Sequence, residues 1–245
     1  MLRTTAATVR TLILVPLFFV VTLCLAFFIV VSTAVRSEAA SFDRLLTFWS
    51  KLFLRIPPVT HEVTGLDLVD PSKRYIVVAN HLSMFDIPLL IASLPINGRF
   101  LAKREVFGIP LVGQAMRAIG VIEVSRGDGA SSRQAVKKGV ILAAERGYSL
   151  LIFPEGTRGD GEVFLPFKKG AFRIAIDSGL PILPVVITGT DRISKPGSKL
   201  FFPGRAALHI LDPIDTSSFT NKDNLTTLTK SVQASMLATY QKADG

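Results

Sequence analysis

His81 and Asp86 stand five residues apart in Asn80-His81-Leu82-Ser83-Met84-Phe85-Asp86. A histidine, with an unperturbed pKa of about 6.5, can take up a proton near neutral pH. A carboxylate that accepts from one ring nitrogen fixes the tautomer and stabilises the charged ring. The other nitrogen is then free to act as a general base. Helical neighbours fall at three or four residues, so this spacing does not suit one regular helix. A turn after His81 must bring Asp86 back to it. The same residues also fit a plain structural reading, with His81 capping the turn and Asp86 capping a helix. Spacing alone leaves both readings open.

A second group of polar residues follows other apolar runs. Lys103 and Arg104 come after Arg99-Phe100-Leu101-Ala102, and Arg126 comes after Gly120-Val121-Ile122-Glu123-Val124-Ser125. Gly127-Asp128-Gly129 then interrupts the chain. Leu150-Leu151-Ile152-Phe153 runs into Pro154-Glu155-Gly156-Thr157-Arg158. Proline stops a strand there, and glycine permits a tight backbone. Cations at the carboxyl ends of neighbouring strands converge on one crevice, and arginine grips phosphate through a planar fork. Taken singly, each cation also fits solvated surface, and Glu155 beside Arg158 also fits a structural ion pair.

These residues need strand ends to hold them. Tyr75-Ile76-Val77-Val78-Ala79 is short, apolar and rich in β-branched residues, which predicts a buried strand entering the His81 turn. Strands are predicted near 61–69, 74–79, 99–102, 120–124, 149–153, 182–188 and 205–211. Helices are predicted near 86–93, 108–118, 130–146, 169–178 and 223–242. Such alternation predicts an α/β domain: a mostly parallel sheet flanked by helices. Catalytic side chains of such sheets gather at the carboxyl ends of strands. Ser194 to Pro203, rich in Gly, Pro and Lys, reads as a loop.

Before that domain the chain is apolar. Residues 12–31 are nearly all hydrophobic, and about 20 such residues cross a bilayer core. Ser32-Thr33-Ala34 and Ala39-Ala40 resemble cleavage sites, but the apolar run is long for a signal peptide and predicts an uncleaved anchor. Residues 42–56 repeat Phe42, Leu45, Leu46, Trp49, Leu52, Phe53 and Ile56 at helical spacing, opposite Asp43, Arg44, Lys51 and Arg55. That is an amphipathic helix, suited to an interface or to core packing. Pro57-Pro58 ends it. The predicted division is therefore 1–57, membrane-anchoring helices, and 58–245, the α/β domain. Basic residues after the apolar run (Arg36, Arg44, Lys51, Arg55) outnumber those before it, which places the domain on the cytoplasmic side of a cell membrane.

Composition removes several classes. The chain has 245 residues, 49% hydrophobic and 19% charged, and a formal net charge of +9. The single cysteine, Cys24, excludes an internal disulfide and a zinc–thiolate cluster. His61, His81 and His209 are too few and too scattered for a multi-histidine metal site. The positive charge is spread over both parts, which suits an anionic membrane surface or a phosphorylated substrate better than a nucleic acid.

Taken together, the order Asn80-His81 with Asp86, then Gly120 to Arg126, then Phe153-Pro154-Glu155-Gly156-Thr157-Arg158, then Leu183-Pro184-Val185 resembles one family. It is similar to the glycerolipid acyltransferases, specifically those acting on 1-acylglycerol 3-phosphate (lysophosphatidic acid). The resemblance runs over about residues 60–215. This chain departs from it at Glu123, where members often carry a hydrophobic residue, at Ser125, often aspartate, and at Gly159, often serine. The resemblance implies transfer of an acyl group from acyl-CoA or acyl-carrier protein to a glycerol hydroxyl, with no cofactor and no metal. It implies His81 and Asp86 as the catalytic pair, and Lys103, Arg126, Glu155, Gly156, Thr157 and Arg158 as the acceptor site. Membrane lipids would be partners and nucleic acids would not. Other lyso acceptors or glycerol 3-phosphate fit the same residues, as does a non-catalytic lipid-binding protein.

Overall fold

The computed structural model describes residues 2–35, 42–124, 137, 139–143, 145–159, 161, 164–219 and 222–244. Helices α1 (Leu2–Val35) and α2 (Phe42–Phe53) precede an α/β body. Its strands are β1 (Val59–Thr64), β2 (Ile76–Ala79), β3 (Gly98–Lys103), β4 (Ile122–Val124), β5 (Ser149–Ile152), β6 (Ile182–Thr188) and β7 (Gly204–Ile210). Its helices are α3 (Asp86–Ser93), α4 (Arg104–Phe107), α5 (Val112–Ala118), α6 (helical residues 139–143), α7 (Gly170–Ser178), α8 (Thr190–Ile193) and α9 (Lys222–Asp244).

The seven strands form one sheet in the order β1-β7-β6-β2-β5-β3-β4. Every neighbouring pair is parallel except β6 with β7. The sheet is therefore mostly parallel and flanked by helices, as the alternation of patterns predicts. β2 lies between β6 and β5, and Ile76, Val77, Val78 and Ala79 are all buried. Their period of two divides them between two cores. Ile76 and Val78 join Leu150, Ile182, Phe172 and Met236 on the face covered by α7 and α9. Val77 and Ala79 join Leu151, Leu183, Phe85 and Leu89 on the face covered by α3. A strand buried on both faces must read as an unbroken apolar run, and this one does.

Two boundaries differ from the sequence reading. The helix predicted over 108–118 begins only at Val112, as α5, and the short α4 ends before it at Phe107. Pro110 lacks the N–H that a helix interior needs, and Leu111 takes φ 63°, outside helical space. β1 ends at Thr64, and a 3-10 turn at Leu66–Leu68 takes the rest of the segment predicted as strand to 69.

α1 lies along the body on one side. Leu14, Val15 and Phe18 pack with the α3-side core, and Ala26 and Ile29 pack with Phe107, Ala115 and Met116 of α4 and α5. Its other side, with Leu12, Ile13, Leu17, Phe19, Val20, Phe27 and Phe28, is exposed. α2 turns its aromatic face inward. Trp49 donates to Thr22 of α1 at 3.0 Å, and the Phe53 ring lies 4.6 Å from that of Phe85. Asp43 of α2 pairs with Arg99 of β3, a cation only 1% exposed whose guanidinium also lies over the Tyr148 ring at 3.7 Å. A buried arginine without its carboxylate would be an uncompensated charge, so this pair pins α2 to the sheet.

Candidate functional site

The site forms where β2, β5 and β6 release the chain at their carboxyl ends. Asn80 continues β2 with its side chain. Its Oδ1 accepts from Ile187 N–H at 2.7 Å, and its Nδ2 donates to Ile187 C=O at 2.9 Å. The amide thus imitates one more rung between β2 and β6 while the backbone turns away. That turn carries His81 out and Asp86 back.

His81 Nδ1 lies 2.7 Å from Asp86 Oδ2. A carboxylate at this contact accepts, so the ring proton sits on Nδ1 and Nε2 presents a lone pair. Asp86 is fully buried. Its Oδ2 also accepts from the N–H groups of Leu82 at 2.7 Å and Ser83 at 2.8 Å, and its Oδ1 accepts from Thr190 Oγ1 at 2.6 Å. Donors on both oxygens meet the condition for burying a carboxylate. The histidine side chain keeps 16% of its surface exposed. The two side chains paired from sequence are therefore in contact, with the buried carboxylate behind the imidazole.

The turn after β5 grips His81 on three sides. Glu155 Oε1 accepts its backbone N–H at 2.9 Å, and its C=O accepts from Gly159 N–H at 2.8 Å. The Phe153 ring stacks on the imidazole, with centroids 4.1 Å apart and planes 18° from parallel. Glu155 is 4% exposed, and its Oε2 accepts from Leu165 N–H at 3.0 Å. Burial pushes its carboxyl above the usual range, against the pull of the His81 and Leu165 N–H bonds. Both carboxylate oxygens are engaged with backbone, so Glu155 orients the turn rather than reaching into solvent. The ion pair with Arg158 weighed from sequence does not form among the described contacts.

Gly156 takes φ 73° in this turn, and a Cβ there would lie 2.5 Å from Lys168 Nζ. The glycine permits the left-handed turn and lets Lys168 lie across it. Thr157 and Arg158 follow on the same turn and are exposed, as is Lys103 at the carboxyl end of β3, two strands from β2. Arg126 lies outside the described residues. Glu123 is used for structure: it pairs with Arg117 at 3.0 Å and Arg104 at 3.5 Å.

The structure adds three residues to the sequence-derived site: Phe153, Lys168 and Thr190. Phe153 lies inside the predicted block, but nothing in its type marks a stacking partner. Lys168 lies ten residues beyond Arg158 and reaches the turn only through the fold. Thr190 follows an apolar strand with no local cue, and its meeting with Asp86 depends on β6 being the neighbour of β2.

Comparison with known proteins agrees with this fold. Over 150 residues the chain is 38% identical to a 1-acyl-sn-glycerol-3-phosphate acyltransferase of Limnanthes alba, covering 61% of this chain and 53% of that one. Over 185 residues it is 34% identical to the alpha enzyme of that name from Mus musculus, covering 74% and 64%. The match thus spans about half the length of the plant relative. The crystal structure of the 1-acyl-sn-glycerophosphate (LPA) acyltransferase PlsC from Thermotoga maritima superposes with a TM-score of 0.83. It is 26% identical, and the match covers 98% of this chain and 97% of that one. Residues 60–188, which carry His81, Asp86 and the Phe153–Arg158 block, match the acyltransferase family model. The chain belongs to the acyltransferase family.

Proposed function

We propose that this protein transfers a fatty acyl group from a thioester donor to the sn-2 hydroxyl of 1-acylglycerol 3-phosphate, giving phosphatidic acid. The observation that carries the reading is the 2.7 Å contact between His81 and a fully buried Asp86 at the end of a central strand. The similarity to relatives that act on this acceptor supports its choice.

His81 Nε2 removes the proton from the acceptor hydroxyl as its oxygen attacks the thioester carbonyl. Asp86 holds the ring and offsets the imidazolium charge. The tetrahedral intermediate then expels the thiol, which takes its proton from His81. Transfer is direct: Ser83 Oγ is buried and donates to Ser194 C=O at 2.9 Å, and Cys24 lies in α1. A thioester is already activated, so the reaction needs no cofactor, and acyl-CoA or acyl-carrier protein serves as co-substrate. Lys103, Arg126 and Arg158, joined by Lys168, bind the acceptor phosphate. Gly156 and Thr157 shape the turn beside it, and Glu155 fixes that turn to His81.

Residues 1–57 attach the enzyme to its lipid substrates, and 58–245 carry the chemistry. α1 is long and apolar enough to cross a bilayer. Its packing against the body at both Phe18 and Ile29 favours a helix with its exposed side sunk in one leaflet. The basic residues after the apolar run favour the cytoplasmic face of the cell membrane.

The test uses purified protein in detergent, given acyl-CoA or acyl-carrier protein with a panel of lyso acceptors and glycerol 3-phosphate, with products read by mass. Phosphatidic acid should dominate. His81→Ala should slow its formation by roughly 10²–10⁴, the usual worth of general-base help, while acceptor still binds. Preference for an acceptor without a phosphate monoester would overturn the substrate assignment.

A further inference from the structure

Thr190 opens α8 directly after β6, and Gly189 places it there. Gly189 takes φ 79°, and a Cβ on it would lie 2.3 Å from the Arg205 carbonyl oxygen, so the chain makes this turn only with glycine. The turn is clamped on both sides: upstream by the Asn80–Ile187 rung, downstream by the bond from Ser83 Oγ to Ser194 C=O. Thr190 is thereby held 1% exposed, with Oγ1 2.6 Å from Asp86 Oδ1.

The two oxygens of Asp86 are unequally loaded. Oδ2 receives His81 Nδ1 and the N–H groups of Leu82 and Ser83. Oδ1 receives the Thr190 hydroxyl. The terminal torsion of an aspartate is broad, so the tilt of the carboxylate plane is set by the donors on its two oxygens together. A hydroxyl that donates to one oxygen is part of what sets that plane. We propose that Thr190 is a positioning residue for the catalytic pair: its hydroxyl locks the rotation of Asp86 so that Oδ2 meets His81 Nδ1. Without it, a buried anionic oxygen loses its donor and competes for those serving Oδ2. The inference rests on the reading of His81 as general base.

Thr190→Val, Thr190→Ala and Thr190→Ser separate this role from plain packing. Loss of a hydrogen bond to a buried charge should lower kcat by roughly 10- to 100-fold in the Val and Ala variants. KM for donor and acceptor should stay near wild type, because Thr190 touches neither. Thr190→Ser restores the hydroxyl and should recover kcat to within a few-fold. Nitrogen NMR of the His81 ring should show the Nδ1-protonated tautomer retained in the Ser variant and depleted in the Val variant. In a His81→Ala background, Thr190→Val should cost no further activity, since its effect passes through His81. If Val or Ala kept wild-type kcat and tautomer while only the melting temperature fell, Thr190 would be structural and the inference wrong. A folded Ser variant as slow as Val would also overturn it. If His81→Ala itself kept wild-type turnover, the general-base reading would fail, a result distinct from either of these.

Discussion

His81 and His209 each engage a side-chain oxygen through Nδ1, yet their surroundings differ in every respect that bears on proton transfer. His81 meets a buried carboxylate at 2.7 Å, while His209 meets the Thr64 hydroxyl at 3.1 Å. His81 stands in the turn after β2 with part of its ring open, stacked on Phe153. His209 stands within β7 and lines a cavity of about 570 Å³ between the sheet and α9, with Ser231, Ser235 and Thr239 opposite. Its Nε2 is buried without a hydrogen-bond partner. Burial lowers its pKa, against a weaker opposing effect of Glu62. A carboxylate stabilises an imidazolium; a hydroxyl in a partly buried pocket leaves the neutral ring favoured. In the proposed reaction the first of these side chains is the base, whereas burial favours the neutral ring of the second.

Removing the carboxylate should make the first histidine more like the second. Asp86→Asn should reduce kcat by an amount approaching that of His81→Ala, roughly 10²–10⁴, measured with saturating donor and acceptor. The amide cannot accept from three donors and donate at the same time, so the ring loses its fixed tautomer. Retention of most activity would remove the distinction between the two histidines.

Charge around the two rings gives the next contrast. Arg158→Ala, Lys168→Ala or Arg126→Ala should raise KM for a phosphate-bearing acceptor by about one to two decades, with little change for the acyl donor. Arg126→Lys should rescue only partly, because an ammonium lacks the planar fork. Equal losses for acceptors with and without a phosphate monoester would make these cations structural.

Glu155→Gln tests the grip on His81. An amide has one oxygen to offer, so one of the His81 and Leu165 N–H groups loses its acceptor. Stability should fall by about 1–3 kcal/mol at neutral pH, read by chemical denaturation. Because burial raises the folded-state pKa of Glu155, its ionisation opposes folding. The wild-type protein should therefore lose stability as pH rises from about 4.5, the ordinary glutamate value, through the folded-state value. Glu155→Gln should flatten this part of the stability curve.

The smallest effect belongs to the second histidine. A depressed folded-state pKa means stability is fully present above 6.5 and lost as pH falls through the folded value. His209→Gln should remove that acid-side slope and leave turnover at pH 7.5 within about two-fold of wild type, as surface and satellite substitutions usually do. A large loss of turnover would show that His209 communicates with the site.

The parts of the site legible in the sequence are those written in consecutive residues. β2, the His81 turn and the Phe153–Arg158 turn each announce themselves through an apolar run ended by polar or special residues. The apolar face of α2 is also visible, but its period does not say what covers it; Thr22, Phe18 and Phe85 do, and these come from elsewhere in the chain. Thr190 and Lys168 were not legible for the same reason. Their roles follow from strand order and from the close approach of a lysine to Gly156, which no local pattern encodes. Glu155 was legible as a site residue but not as a clamp, since its partners are the backbone groups of His81 and Leu165.

The most direct test of the His81–Asp86 account is a double-mutant cycle on single-turnover acyl transfer with His81→Ala, Asp86→Asn and the two combined, each confirmed folded by near-ultraviolet circular dichroism. If Asp86 acts through His81, the double variant should be no slower than His81→Ala alone. Losses that multiply across the two sites would contradict the account, placing Asp86 in the reaction by a route that does not pass through the histidine.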